Sequence, residues 1–210
     1  MARRTLIRES DVVAAARAGS GSLAVPAGAV VTPLARDAAR EKGIELVAPD
    51  PGAGRPDGPA PQAVAVGSDH GGYDLKTELI PFLRELGWAV IDVGTSSTAS
   101  CDYPDFAYAV ARHVSEGTAA FGVMIDGAGM GSAMVCNKVV GVRAAPAYNE
   151  FTAWNARAHN DANVLTLGSR SLGIEVCRSL ARVFLTTGFE GGRHAARVAK
   201  IDDVDASQGR

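Results

Sequence analysis

The sequence predicts an α/β protein: a doubly wound parallel sheet with a smaller α/β module in front of it. From Ala63 onward, short β-rich runs alternate with segments of helical spacing, the pattern of strand, crossover helix and parallel strand. The polar and glycine-rich residues of this region follow the strands, and such sheets bind ligands at the carboxyl ends of their strands. Residues 48–62, APDPGAGRPDGPAPQ, hold five of the ten prolines and no large apolar side chain. A stretch that cannot bury enough surface to offset its ordering entropy reads as an extended linker. The expected division is therefore a module over 1–47, a linker over 48–62 and a sheet domain over 63–210.

In the front module, Ser10 can cap a helix over Asp11 to Ala18, with an acidic residue at the positive end and Gly19 closing it. Leu23 to Val25 suggests a short strand and Pro26 to Gly28 a turn. Thr32 and Pro33 then give an N-cap followed by proline at the first helical position, in a second helix that stops at Gly43 before a strand over 44–47. So few large apolar side chains make a marginal core. In the main domain the β-rich runs are 63–66, 89–93, 121–125, 142–145 and 164–167. Leu75, Leu79, Phe82, Leu83 and Leu86 share one helical face, and Gly87 ends that helix. Later helices are expected near 104–116, 131–138, 149–160 and 172–185.

Composition excludes several function classes. Lys+Arg number 21 against 23 Asp+Glu, a net charge of −2, so no global basic field exists to draw nucleic acid. Cys101, Cys136 and Cys177 are too widely spaced for a disulfide framework or a paired zinc motif, which fits a reducing cytoplasm. The longest apolar runs fall far short of the ~20 residues of a membrane span, and residues 1–20 lack the apolar core of a secretion signal.

Among candidate chemical groups, Asp126-Gly127-Ala128-Gly129-Met130-Gly131 is the strongest local signal. Glycines at alternate positions between a strand and a helix let backbone amides approach an anion, although a tight packing turn requires the same residues. The spacing is not the GxGxxG dinucleotide fingerprint, and no Walker lysine follows. Asp69 beside His70 could orient a sugar hydroxyl and move a proton, or Asp69 could simply cap the next helix. His159, Asn160 and Asp161 lie at a helix end, where a histidine also favours the negative terminus. Arg193 and Arg197, flanking His194, are spaced i and i+4 on one expected helix face, suited to a phosphate dianion or to a solvated basic stripe. His113 reads as a surface residue, and Cys136 and Cys177 as small packing residues rather than nucleophiles.

Taken in order, GSDHGG at 67–72, DYPDFA at 102–107, the glycine loop at 127–131, NKVVGVRAA at 137–145, HNDANVLTLGSR at 159–170 and FEGGRHAARV at 189–198 resemble the ribose 5-phosphate isomerase B family, which includes galactose 6-phosphate isomerase subunits. The resemblance implies a Rossmann-like five-stranded α/β unit, dimeric or tetrameric, with active sites completed across a subunit interface and no metal or organic cofactor. It implies interconversion of aldose and ketose phosphates through a cis-enediolate, which needs a base, an oxyanion donor and cations for the phosphate. By carry-over Asp69 and His70 contact the sugar, His159 assists ring opening, and Asn160 binds the open chain near the amides of Gly127, Gly129 and Gly131. Tyr103 lines the pocket, and Arg193 and Arg197, with Arg170 and His194, contribute to phosphate binding.

The sequence departs from the family at the base. Many members have Cys before the glycine loop and Thr two residues later, where this chain has Asp126 and Ala128; another branch uses a Glu where Ser132 stands. Asp126 is the expected substitute, since it also carries its reactive group after one methylene. The alternative is a diverged phosphosugar-binding domain, or one catalysing another reaction. In the front module, LIRESDVVAAARAG and VPAGAVVTPLARDAAREKGIEL resemble segments on enzymes of bacterial microcompartments. That resemblance implies a targeting or assembly role for residues 1–47 toward shell or cargo proteins; a small accessory domain is the other reading.

Overall fold

The computed structural model describes residues 6–25, 30–47 and 63–207. It divides into two compact units, one from the described residues of 1–58 with 206–207, the other ending at Asp205.

The small unit contains β1 (Leu6–Ile7), α1 (Glu9–Arg17), β2 (Ser22–Ala24), β3 (Val30–Val31), α2 (Pro33–Lys42) and β4 (Glu45–Val47). It is a strand-helix-strand piece used twice. β1 pairs parallel with β3, Leu6 against Val30, and β2 pairs parallel with β4, Leu23 against Leu46. Both helices end alike: Gly19 at φ 72° and Gly43 at φ 63° adopt the left-handed conformation that a Cβ disfavours. The next amides, Ser20 and Ile44, then donate back to the carbonyls of Ala15 and Ala39 at 3.0 and 2.9 Å.

The two starts differ. Thr32 caps α2 by accepting from the amide of Ala35 at 3.2 Å, as expected. Ser10 caps nothing, because α1 begins one residue before it. There the carboxylate of Asp11 reaches back to the Arg8 amide at 2.7 Å and closes the first turn. The core is small: Ile7, Val12, Ile44 and three alanines of α2. The turn expected at 26–28 and the linker expected at 48–62 lie outside the described residues.

The large unit holds β5 (Ala63–Ser68), α3 (Tyr73–Glu85), β6 (Ala89–Asp92), α4 (Tyr103–Ser115), β7 (Phe121–Asp126), α5 (Met130–Cys136), β8 (Ala144–Pro146), α6 (Glu150–Ala158), β9 (Val164–Gly168) and α7 (Ile174–Thr186). A short 3-10 turn at Gly192–His194 leads into α8 (Ala195–Ser207). The five strands are parallel in the order β6-β5-β7-β9-β8. Alternation along the central strands builds two cores. Val64, Val66, Val123, Ile125, Leu165 and Leu167 face Leu79 and Leu83 of α3 and Leu180 and Phe184 of α7. Ala65, Met124 and Val164 face Ala107, Val110 and Ala111 of α4 and Cys136 of α5. Helices therefore cover both faces, as near-continuous apolar strands require.

The edge strand β8 starts later than the run at 142–145 suggested. The side chain of Asn137 accepts from the Ala144 amide at 2.7 Å and donates to its carbonyl at 2.9 Å, and Pro146 has no amide to expose. These devices close an edge that would otherwise offer free backbone groups. No helix among the described residues is long and apolar enough to cross a membrane.

Candidate active site

The chain passes from β5 out to β6 and returns to β7 on the other side of β5. Parallel sheets open a crevice at such a reversal of strand order. A cavity of about 630 Å³ lies at those strand ends, lined by Asp69, His70 and Gly71 after β5, Gly127 and Ala128 after β7, Tyr148 after β8, and Arg170 and Ser171 after β9.

Asp69 closes a turn and faces the cavity, and α3 itself, with Gly72 at its N-cap, has no side-chain cap. Asp69 Oδ1 accepts from the Gly72 amide at 3.0 Å, closing the turn into α3, while the residue also lines the cavity. Gly72 is tied to this turn because a Cβ there would stand 2.4 Å from the carbonyl oxygen of Ile125. The ring of His70 is fixed at Nδ1, 3.3 Å from the amide and 3.2 Å from the carbonyl of Cys101. Across the cavity Arg170 lies over Gly127, its Cδ and Nε 3.8 Å from where a Cβ would be. The Arg170 amide also donates to the Gly127 carbonyl at 3.0 Å.

Asp126 occupies the expected place at the end of β7, but its carboxylate turns into the glycine loop rather than toward the cavity. One oxygen accepts from the amides of Ala128, at 2.8 Å, and Gly129; the other accepts from the amide of Ser132, at 3.1 Å, and from its hydroxyl. The residue is 5% exposed and is not among those lining the cavity. Gly129, at φ 78°, makes the reversal into α5 possible, and Gly131 lies under the ring of Tyr103, where a Cβ would meet the phenol at 2.6 Å. Tyr103 therefore supports the loop's outer turn and does not line the cavity. The Cys136 thiol behind the loop is pushed up to about 12 by burial and then by the Asp126 charge, and burial pushes Cys177 up to about 11. Neither is a ready nucleophile.

A second cluster forms at the end of α6. The imidazoles of His159 and His194 stack with centroids 4.0 Å apart and planes 9° from parallel. His159 Nε2 lies 3.4 Å from Glu190 Oε2, its Nδ1 lies 2.9 Å from the Asn155 amide, and the edge of Trp154 meets its ring at 5.0 Å. Burial, then the charges of His159, Arg193 and Arg197, hold His194 below the ordinary histidine range against the opposing pull of Glu190. Ligand atoms of His159, Glu190 and His194 lie within 4.8 Å of one another, yet the set does not fit a metal. Histidine lone pairs lie in the ring plane, and two rings stacked face to face, with planes only 9° from parallel, direct theirs alongside one another and not at a common point.

Arg193 donates from Nε to His194 Nε2 at 3.4 Å. The two arginines do not share one regular helix: Arg193 lies in the 3-10 turn and Arg197 in α8, both exposed. Asn160 lines a separate cavity of about 360 Å³ with Asn155, Phe151 and Arg143. None of His159, Asn160, Arg193, His194 and Arg197 is among the residues lining the first cavity.

The ribose/galactose isomerase family model matches residues 64–201. The chain belongs to that family. It is 40% identical over 142 residues to ribose-5-phosphate isomerase B of Escherichia coli K12, covering 68% of this chain and 95% of the relative. It is 36% identical over 140 residues to D-erythrulose-4-phosphate isomerase of Pectobacterium atrosepticum, covering 66% and 92%. The solved ribose-5-phosphate isomerase B of Clostridium thermocellum superposes with a TM-score of 0.68 at 44% identity, covering 70% of this chain and 99% of that one. The protein is a sugar phosphate isomerase of this family.

Sequence reasoning missed two contributors. Tyr148 lines the cavity and donates its hydroxyl to the Ala128 carbonyl at 3.0 Å; its place just after a strand was the available signal. Arg143 donates to the Asp161 carbonyl and carboxylate and to Asp202 of α8, at 2.9 to 3.0 Å. It thereby holds the residue after Asn160, which adopts φ 45°, to the helix that carries Arg197.

Proposed function

We propose that the protein interconverts an aldose phosphate and its ketose phosphate through an enediolate, with ribose 5-phosphate and ribulose 5-phosphate, or a shorter relative, as the substrate pair. The observation that supports it most is the switch-point cavity, where a carboxylate and an imidazole from the end of β5 meet a guanidinium from the end of β9. Those groups answer the needs of proton transfer, hydroxyl orientation and charge neutralisation. The expectation from sequence gives proton transfer to Asp126. For that role the carboxylate must release at least one of its four donors when substrate enters.

The site is shared between two copies of the chain in this reading. What supports it is the separation of His159, Asn160, His194 and the two arginines from the cavity that holds Asp69 and His70. A symmetric pair can set the cavity of one copy against the histidine cluster of the other. Residues 1–47 serve assembly or targeting toward a microcompartment shell or its cargo, supported by their compactness as a separate unit.

A panel of pentose and tetrose phosphates in D₂O, followed by proton NMR at C1 and C2, tests the chemistry. Exchange and net conversion with at least one pair are expected; tight binding without exchange by any would favour a binding protein. Mixing Asp69→Asn with His159→Ala subunits tests the sharing. Each alone is expected to be nearly inactive, and random re-pairing of equal amounts restores about a quarter of wild-type activity, because half the dimers then hold one intact site of two. No recovery would place each site within one chain.

A further inference from the structure

The geometry points to Asp69, not Asp126, as the group that takes the proton from the substrate carbon, with Asp126 as the internal brace of the glycine loop. This rests on the isomerase reading of the same cavity. An ionised carboxylate has about four lone-pair sites over its two oxygens. At Asp126 four donors fill them: the amides of Ala128, Gly129 and Ser132 and the Ser132 hydroxyl. A base must keep a lone pair within hydrogen-bond reach of the proton it takes, and Asp126 has none directed at the cavity.

Asp69 has the complementary arrangement. Its Oδ1 is committed to the Gly72 amide, its backbone amide donates to the Ile125 carbonyl at 3.3 Å, and its Oδ2 has no hydrogen-bond partner among the described residues. It is 7% exposed, and it is the one carboxylate among the described residues lining the cavity. A fixed carboxylate with one free oxygen on the cavity wall is placed to act; a carboxylate saturated by its own loop is placed to hold.

In the step itself, Asp69 Oδ2 takes the proton from the carbon beside the carbonyl. The C–H electron pair becomes the C1–C2 double bond, and the carbonyl π pair moves onto oxygen, giving the enediolate. The hydroxyl proton passes from one oxygen of the cis-enediolate to the other, and the carboxylic acid returns its proton to the neighbouring carbon. The electron pair left on the deprotonated oxygen forms the new carbonyl, so one carboxyl group serves both carbon proton transfers and nothing else is consumed.

The experiment compares Asp69→Asn, Asp69→Glu and Asp126→Asn in the full-length protein. The readouts are kcat, KM, the thermal midpoint and deuterium wash-in at C1 and C2 of the active sugar phosphate. Asparagine keeps an acceptor for Gly72, so Asp69→Asn is expected to melt like wild type, lose about 10²–10⁴-fold in kcat and show no wash-in. Asp69→Glu, which keeps the carboxylate, is expected to retain measurable wash-in. Asp126→Asn sets an amide NH₂ against the loop's own donors, so a lower midpoint and higher KM are expected, with wash-in within about tenfold of wild type. Wild-type wash-in that survives Asp69→Asn, a glutamate variant as inert as the asparagine one, or abolition of wash-in by Asp126→Asn at an unchanged midpoint would overturn the assignment while leaving the isomerase reading intact. A wild-type protein with no wash-in on any sugar phosphate would overturn both.

Discussion

Both units alternate strands with helices and pair their strands in parallel, and the larger one carries the switch-point cavity. In the small unit the strands are two or three residues long and pair two by two. In the large unit the three central strands run five or six residues, and with two shorter edge strands they form one sheet of five. Length decides the outcome, because a longer strand contributes alternating side chains to both faces and so recruits helices on each side. With both faces covered, the strand ends become the exposed, rigidly held part, and the polar residues gather there. Strands of two or three residues paired two by two hold a small helix pair together, with no switch point among the described residues.

Core substitutions probe that contrast hardest. Phe184 is fully buried and packs edge-on against Phe121 at 5.9 Å, with the Arg157 guanidinium over both rings. Phe184→Ala is expected to cost about 3–5 kcal/mol and to lower the main thermal transition, with activity lost at the same temperature. Val12 is the small unit's fully buried counterpart. At about 0.8 kcal/mol per buried methylene-sized group, Val12→Ala removes about 1.6 kcal/mol, a large share of a small core. Calorimetry should show the main transition and turnover unmoved by it; a shared fall would mean the two units melt as one.

The contrast also explains what the sequence made legible. Val64 and Val66, Val123 and Ile125, and Leu165 and Leu167 stand at alternate positions in apolar runs, so the central strands were evident, as was the place of the glycine loop after one of them. The direction of the Asp126 carboxylate was not. It depends on Ser132, in the first turn of α5, donating back to the loop. The stack of His159 on His194 joins the end of α6 to the 3-10 turn before α8, and no local spacing reports such a contact. The Ser10 cap was misplaced because Arg8 and Asp11 close the turn by a bond from backbone to side chain, which the preference for serine at caps does not reveal.

A smaller effect separates the two halves of the site by pH. Burial and the neighbouring positive charges favour neutral His194 in the folded protein. Its folded pKa lies below its unfolded value of 6.5, so the unfolded state binds the proton more readily. The stabilisation is therefore present above pH 6.5 and is lost as pH falls through that value toward the folded pKa. The thermal midpoint of wild type is expected to drop between pH 7.5 and 5.5, and His194→Asn to flatten that drop without altering the response of Asp69→Asn. An unchanged slope in His194→Asn would show that the stacked pair does not sense pH.

The smallest effect expected is on turnover when the front of the chain is removed. Every described residue lining the active-site cavity lies from Asp69 to Ser171, and the family match begins at Val64. A chain starting at Ala63 is expected to keep kcat and KM within about twofold, since the groups that position the reacting atoms are all retained. Residues 1–62 fused to a fluorescent reporter supply the complementary measurement. Concentration of fluorescence in cells that form microcompartments would assign the two units to placement and to chemistry respectively. Diffuse fluorescence together with a large fall in kcat of the shortened chain would instead make the small unit part of the enzyme's working fold, and the difference in strand length would then mark a difference in size and not in task.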